Sequence, residues 1–198
     1  MKTIVFDIGN VLVNWDPRLA WAEELGSLEA AQAFIDRTDF LGRNLRADGG
    51  ERFADLAAEL PDPADQTRLA AYPARFAVTV PSLISDSWQM LRALKSRGHP
   101  VHAITNWSAE TWPAGVAAWP ELGTAFEVTV VSGEHRVLKP DARIFAILCE
   151  MAGVSPGDCL FIDDSLKNVA GAQAFGMDTI HFTGPDALAR GLAERGLL

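Results

Sequence analysis

Cysteine is scarce, basic residues are outnumbered, and no apolar run is long. The 198-residue chain has two cysteines, Cys149 and Cys159, with no CxxC pair and no Cys/His cluster, so nothing points to zinc. Cys149 falls on an apolar helical face and Cys159 at the start of an apolar strand; both read as buried thiols in a reducing compartment. The four histidines, His99, His102, His135 and His181, share no ligand spacing. Lys and Arg number 17 against 26 Asp and Glu, a formal net charge of −9 with no basic cluster. That balance argues against a general nucleic-acid surface. No hydrophobic stretch approaches a membrane span, no signal-peptide pattern precedes the first apolar run, and no repeat or low-complexity tract occurs. The expectation is a cytoplasmic protein, monomer or homodimer, without membrane or nucleic-acid partners.

What is present is ordinary globular composition, 48% hydrophobic and 22% charged, enough for a sizeable core. Residues 1–14 and 80–198 alternate short apolar strands with amphipathic helices. Strands are expected at Thr3–Phe6, Val101–Ile104, Glu127–Val131, Cys159–Ile162 and Thr179–Phe182. Helices are expected at Ser82–Arg97, Asp141–Met151 and Leu166–Phe175, stopping at Gly98, Gly153 and Gly176. Such alternation builds a flavodoxin-like α/β core, a parallel sheet with helices on both faces. Residues 15–79 differ. No strand is convincing there, and four helices are expected at Pro17–Leu25, Leu28–Asp36, Gly50–Leu60 and Ala64–Arg75. A small all-helical insertion after the first strand would sit over the carboxyl ends of the strands, where open parallel sheets bind ligands. It reads as a cap domain (15–79) on a core of residues 1–14 and 80–198.

The strand ends carry the chemistry. The first delivers Asp7, the second Thr105 and Asn106, a loop after the third Lys139, and the fourth Asp163, Asp164 and Ser165. On one sheet edge these make three carboxylates, a hydroxyl, an amide and an ammonium. Crowded acids repel unless a cation offsets them, and oxygen-only ligands suit a hard cation, Mg2+ first. Lys139 can pair with Asp7 and with a bound anion, while Thr105 and Asn106 can donate to anionic oxygens. This describes phosphoryl transfer with an aspartyl nucleophile.

Four stretches in this order resemble the haloacid dehalogenase (HAD) superfamily, in its phosphatase-like branch. "VFDIGNVLV" is similar to the family's first motif, which implies that Asp7 is the nucleophile. "AITN" resembles the second and puts Thr105 on the transferring phosphoryl group. "LKPD" resembles the third and puts Lys139 on Asp7 and the phosphate. "FIDDSLKN" resembles the fourth, making Asp163 and Asp164 metal acids, supported by Ser165 and Asn168. Of the two acids, Asp163 is expected to bind the metal directly and Asp164 partly through water; Gly9 would add only its backbone carbonyl. The DxGNVL form of the first motif is similar to that of bacterial sugar-phosphate phosphatases, including those acting on glucose 1-phosphate.

One position departs from the pattern. Most phosphatases of the family carry a second acid two residues after the nucleophile, which protonates the leaving oxygen and later activates water. Here that residue is Gly9. A general acid–base contributes roughly 10²–10⁴-fold in rate. Three readings follow: a Mg2+-dependent phosphatase acting on a small phosphorylated metabolite, a metal-independent 2-haloacid dehalogenase whose halide needs no proton, and a catalytically weak binding or regulatory protein. Trp15 and Trp107 lie next to the motifs and are candidate pocket walls. Arg43, in "GRNLRADGG", is a candidate anion contact from the cap, with a surface salt bridge as its alternative.

Overall fold

The computed structural model describes residues 2–198. Seven strands occur among the described residues: β1 Thr3–Phe6, β2 Val13–Asn14, β3 Ser82–Leu83, β4 Val101–Thr105, β5 Thr129–Val131, β6 Cys159–Asp163 and β7 Asp178–His181. Five of them form one sheet in the order β5-β4-β1-β6-β7, with every pair parallel. Central β1 sets Val5 opposite His102 of β4 and Phe161 of β6. The chain runs outward from β1 through β4 to β5, then crosses back to β6 on the other side. Asp7 therefore stands at the switch point, where such sheets open a crevice at their carboxyl edge.

Strand alternation divides the core in two. Val5, Ile104, Val130 and Phe161 face one way, against Ile144, Phe145 and Leu148 of helix Ala142–Ala152. Ile4, Phe6, Ala103, Leu160 and Ile162 face the other, with Trp88, Leu91 and Leu94 of helix Ser85–Ser96 and Leu188 and Leu192 of helix Pro185–Ala193. Both faces are covered, which is why the strands read as continuous apolar runs. Cys149 and Cys159 are buried free thiols in the first of these layers. Among the described residues no helix is long and apolar enough to cross a membrane.

The expected strands and helices of the sheet occur, some with other ends: the strand expected at Glu127–Val131 is Thr129–Val131, and that at Thr179–Phe182 is Asp178–His181. Strand Thr3–Phe6 and helix Leu166–Phe175 occur as expected. Helix Ala142–Ala152 takes Asp141 as its N-cap, the carboxylate accepting from the Arg143 amide, and ends at left-handed Gly153. The helix expected from Ser82 begins instead at Ser85. Ser82 and Leu83 pair antiparallel with Asn14 and Val13, a partner that helical spacing does not reveal.

The segment between β2 and β3 is wholly helical. Beyond the four expected helical regions it contains Phe40–Asp48, whose Gly42 and Asn44 are weak helix formers. Phe40 and Ala47, both fully buried, hold that helix by packing. Trp21 is the hub of the segment: its ring lies 4.7 Å from Phe34, 5.0 Å from Phe40 and 5.2 Å from Tyr72. Phe76 continues this cluster to Trp107 of the core at 5.2 Å. β2 and β3 close the base, with Asn14 Nδ2 donating to Ser82 Oγ at 2.9 Å. Trp21→Ala should lower unfolding free energy by about 3–5 kcal/mol, read as an earlier midpoint in urea titration with an unchanged slope.

Candidate active site

Parallel strands bring the chemically distinctive residues to one edge. Asp7 follows β1, and its position is held by its own amide, which donates to Ile162 O at 2.8 Å. Its Oδ1 accepts from the Ile8 amide at 2.7 Å and from Lys139 Nζ at 2.8 Å. The chain then turns tightly, with Leu12 and Val13 donating to Ile8 O and Asn10 at φ 55°. Asn tolerates that left-handed conformation better than other non-glycine residues.

Lys139 is the centre of the site. Its side chain is 1% exposed, and its Nζ also donates to Asp163 Oδ2 at 2.7 Å and Ile104 O at 3.1 Å. An ammonium has three donors, so all are spent on protein; what Lys139 offers a bound anion is charge. Asn106 anchors it, Nδ2 donating to Lys139 O at 3.2 Å and Oδ1 accepting from Lys139 N at 2.8 Å. The loop is pressed close to helix Leu166–Phe175 at Gly171, where a Cβ would lie 2.5 Å from Pro140 Cβ.

The two acids at the end of β6 stand in different surroundings. Asp163 is fully buried, and its oxygens are taken by Lys139, by the Ser165 amide at 2.8 Å and by Asn168 Nδ2 at 3.1 and 3.2 Å. Asp164 is exposed and lines the cavity with Asp7 and Gly9, which Asp163 does not. One oxygen from each of Asp7, Asp163 and Asp164 lies within 4.8 Å of the others. Burial, and then the neighbouring carboxylates, push Asp7 up to about 8 against the opposing pull of Lys139. Burial likewise raises Asp164, with repulsion from Asp163 adding to it. Burial works to lower the Lys139 ammonium, but its two carboxylate partners outweigh that and hold it above its ordinary value.

The cavity over this edge encloses about 160 Å³. Its walls include Thr105, Asn106, Trp15, Trp107 and Phe76, together with two residues that the sequence reading passed over, Asn44 and Asp48. Trp107 is buried with its indole N–H unpartnered, whereas Trp15 donates to Tyr72 Oη at 3.1 Å. Thr105 is 1% exposed. One expectation is corrected: Arg43 does not reach the cavity, its guanidinium being bonded to Glu59, Thr38 O and Leu56 O. Asn106 lines the cavity while its amide also holds the Lys139 main chain, one Nδ2 hydrogen remaining free of it.

The chain belongs to the haloacid dehalogenase-like hydrolases, whose family pattern matches residues 1–176. A sesquiterpene phosphatase of Aspergillus oryzae is 26% identical over 202 residues, covering 100% of this chain and 96% of that one. (S)-2-haloacid dehalogenase 4A of Burkholderia cepacia is 28% identical over 99 residues, 50% of this chain, which spans 42% of that relative's length. A HAD family enzyme of Bacteroides thetaiotaomicron, solved with magnesium and inorganic phosphate, superposes with a TM-score of 0.66 at 24% identity, over 90% of this chain and 92% of that one.

Because Asn106 satisfies both main-chain groups of Lys139, Asn106→Ala strands a buried donor and acceptor. It should lower unfolding free energy by about 1–3 kcal/mol, measured by denaturant titration.

Proposed function

We propose that the protein is a Mg2+-dependent phosphatase that hydrolyses a small phosphorylated metabolite through an aspartyl-phosphate on Asp7. The observation that carries this reading is the imbalance at the sheet edge: three carboxylates converge around one ammonium. The donor set is entirely oxygen, which fits a hard divalent cation. Asp7, Asp164 and the Gly9 carbonyl would hold it, with Asp163 behind them fixing Lys139. Bound there, Mg2+ supplies positive charge to the phosphoryl oxygens beside the nucleophile.

The chain's own residues account for the rest. Lys139 holds Asp7 in place and favours its charged form. Asp7 attacks phosphorus in line with the leaving oxygen, and Thr105, a residue of the cavity wall, donates to a phosphoryl oxygen. Water then attacks phosphorus and releases Asp7 as a carboxylate. Residues 15–79 act as a cap domain over the core of 1–14 and 80–198, shielding the reaction from bulk water.

Gly9 favours a second reading, metal-independent dehalogenation, because halide leaves without a proton. A 2-haloacid, however, brings a carboxylate, and the cavity lining includes no arginine or lysine to receive it. The same lining favours phosphomonoesters whose remainder is uncharged, set between the aromatic walls and the side-chain amides.

Two measurements test this. Phosphate release with Mg2+ should be abolished by chelator and by Asp7→Asn, and kcat/KM for a phosphomonoester with an uncharged remainder should exceed that for phosphoglycolate by at least ~10-fold, since about 1.4 kcal/mol is tenfold. Halide release from a 2-haloacid in chelator would establish the second reading instead. Independently of turnover, Mg2+ at a hundred times its Kd should raise unfolding free energy by about 2.7 kcal/mol. Asp164→Asn should remove most of that gain.

A further inference from the structure

Gly9 is not glycine for want of space. A Cβ placed there meets nothing within 4 Å, and its φ is not among the positive ones. The position tolerates a Cβ yet carries no acid, so any proton transfer falls to another group. The cavity has three acids in its walls, Asp7, Asp48 and Asp164. Asp7 and Asp164 belong to the clustered carboxylates. Asp48 stands apart from them, brought in by the helical insertion.

Asp48 is 8% exposed and has no salt-bridge partner among the described residues. Asn44, one turn earlier, donates to its Oδ2 at 3.0 Å. It is the last residue of helix Phe40–Asp48, where the negative end of the helix dipole disfavours a carboxylate. Its main chain is clamped to the core. Ser132 Oγ donates to Asp48 O at 2.6 Å and accepts from the Trp107 amide at 2.9 Å. Gly50 follows at φ 99°, packed against Arg136 and Gly133 O. An acid on a helical insertion is thereby fixed to the same loop that follows Thr105.

We propose that Asp48 is the proton donor and acceptor of the reaction, taking the part that Gly9 does not. The assignment rests on the phosphatase reading above. As Asp7 bonds to phosphorus, the ester P–O bond breaks, its electron pair stays on the leaving oxygen, and the Asp48 carboxyl gives that oxygen its proton. Asp48 is then a carboxylate. It takes a proton from the water whose oxygen bonds to phosphorus, while the bond from phosphorus to Asp7 breaks and its pair returns to Asp7. Alcohol and phosphate leave, and Asp48 is protonated again. Burial supports this use, pushing the Asp48 carboxyl up to about 7 against the opposing pull of the Ser108 amide and Lys139, near the operating pH that suits a general acid.

The test uses the full chain with Mg2+ and two esters that differ in their need for a proton: p-nitrophenyl phosphate and glycerol 1-phosphate. Asp48→Asn should lower kcat on glycerol 1-phosphate by about 10²–10³-fold and on p-nitrophenyl phosphate by less than ~10-fold. Adding Gly9→Asp in the Asp48→Asn background should restore at least ~10-fold of the lost glycerol 1-phosphate rate, a recovery open only to a folded protein. Equal losses on both esters, or no loss on glycerol 1-phosphate, overturn the assignment and leave the phosphatase reading standing. A wild-type protein silent on both esters overturns the phosphatase reading and this assignment with it.

Discussion

Everything at the sheet edge depends on one buried ammonium. Lys139 Nζ sits between Asp7 at 2.8 Å and Asp163 at 2.7 Å, with Ile104 O completing its bonds. Charges taken this far from water stabilise a fold little, because desolvation offsets most of their attraction. Removing the ammonium alone would leave two carboxylates buried side by side, a change that costs about 3–5 kcal/mol in comparable settings. The arrangement therefore makes Lys139 indispensable without making it a large net source of stability. Its value lies in keeping one Asp7 oxygen fixed in a place that burial alone would neutralise.

The scaffold explains why such a cluster assembles here. Five parallel strands deliver their ends to one edge, and central β1 puts Asp7 between contributions from β4 and β6. The supports come from the loops beyond: Asn106 holds the Lys139 main chain, Asn168 and the Ser165 amide hold Asp163, and Gly171 lets the next helix press against Pro140. Lys139 and Asp163 are thus each held by a side chain from a different element. The helical segment closes the remaining side, its aromatic cluster reaching the core through Phe76 and Trp107.

Strand ends and residue types were legible in the sequence because both are local. Thr3–Phe6 and Leu166–Phe175 could be placed from runs of apolar residues and a terminal glycine. The pairing of Val13–Asn14 with Ser82–Leu83 could not, since two-residue strands so far apart in the chain have no pattern of their own. Nor does residue type say which lone pairs are already spent. Asp163 and Asp164 look alike in "DDS", yet one is saturated by Lys139, Asn168 and the Ser165 amide while the other faces the cavity. Arg43 presents the same difficulty, a free donor in sequence and an occupied one in space.

Asp48 did leave a trace in the sequence, through a rule that it breaks. An acid belongs in the first turn of a helix, and the last turn favours bases. "LRADGG" ends a helix on aspartate immediately before two glycines, and the aspartate is buried with no salt-bridge partner among the described residues, only the Asn44 amide donating to it. Positions that violate a local preference are where functional constraint is expected. Gly9 breaks a rule of a different kind, a glycine at a position where a Cβ meets nothing. On the proposed role of Asp48 the two departures account for each other: the acid stands on the insertion rather than in the loop after Asp7, so that role requires the helical segment to be seated against the core.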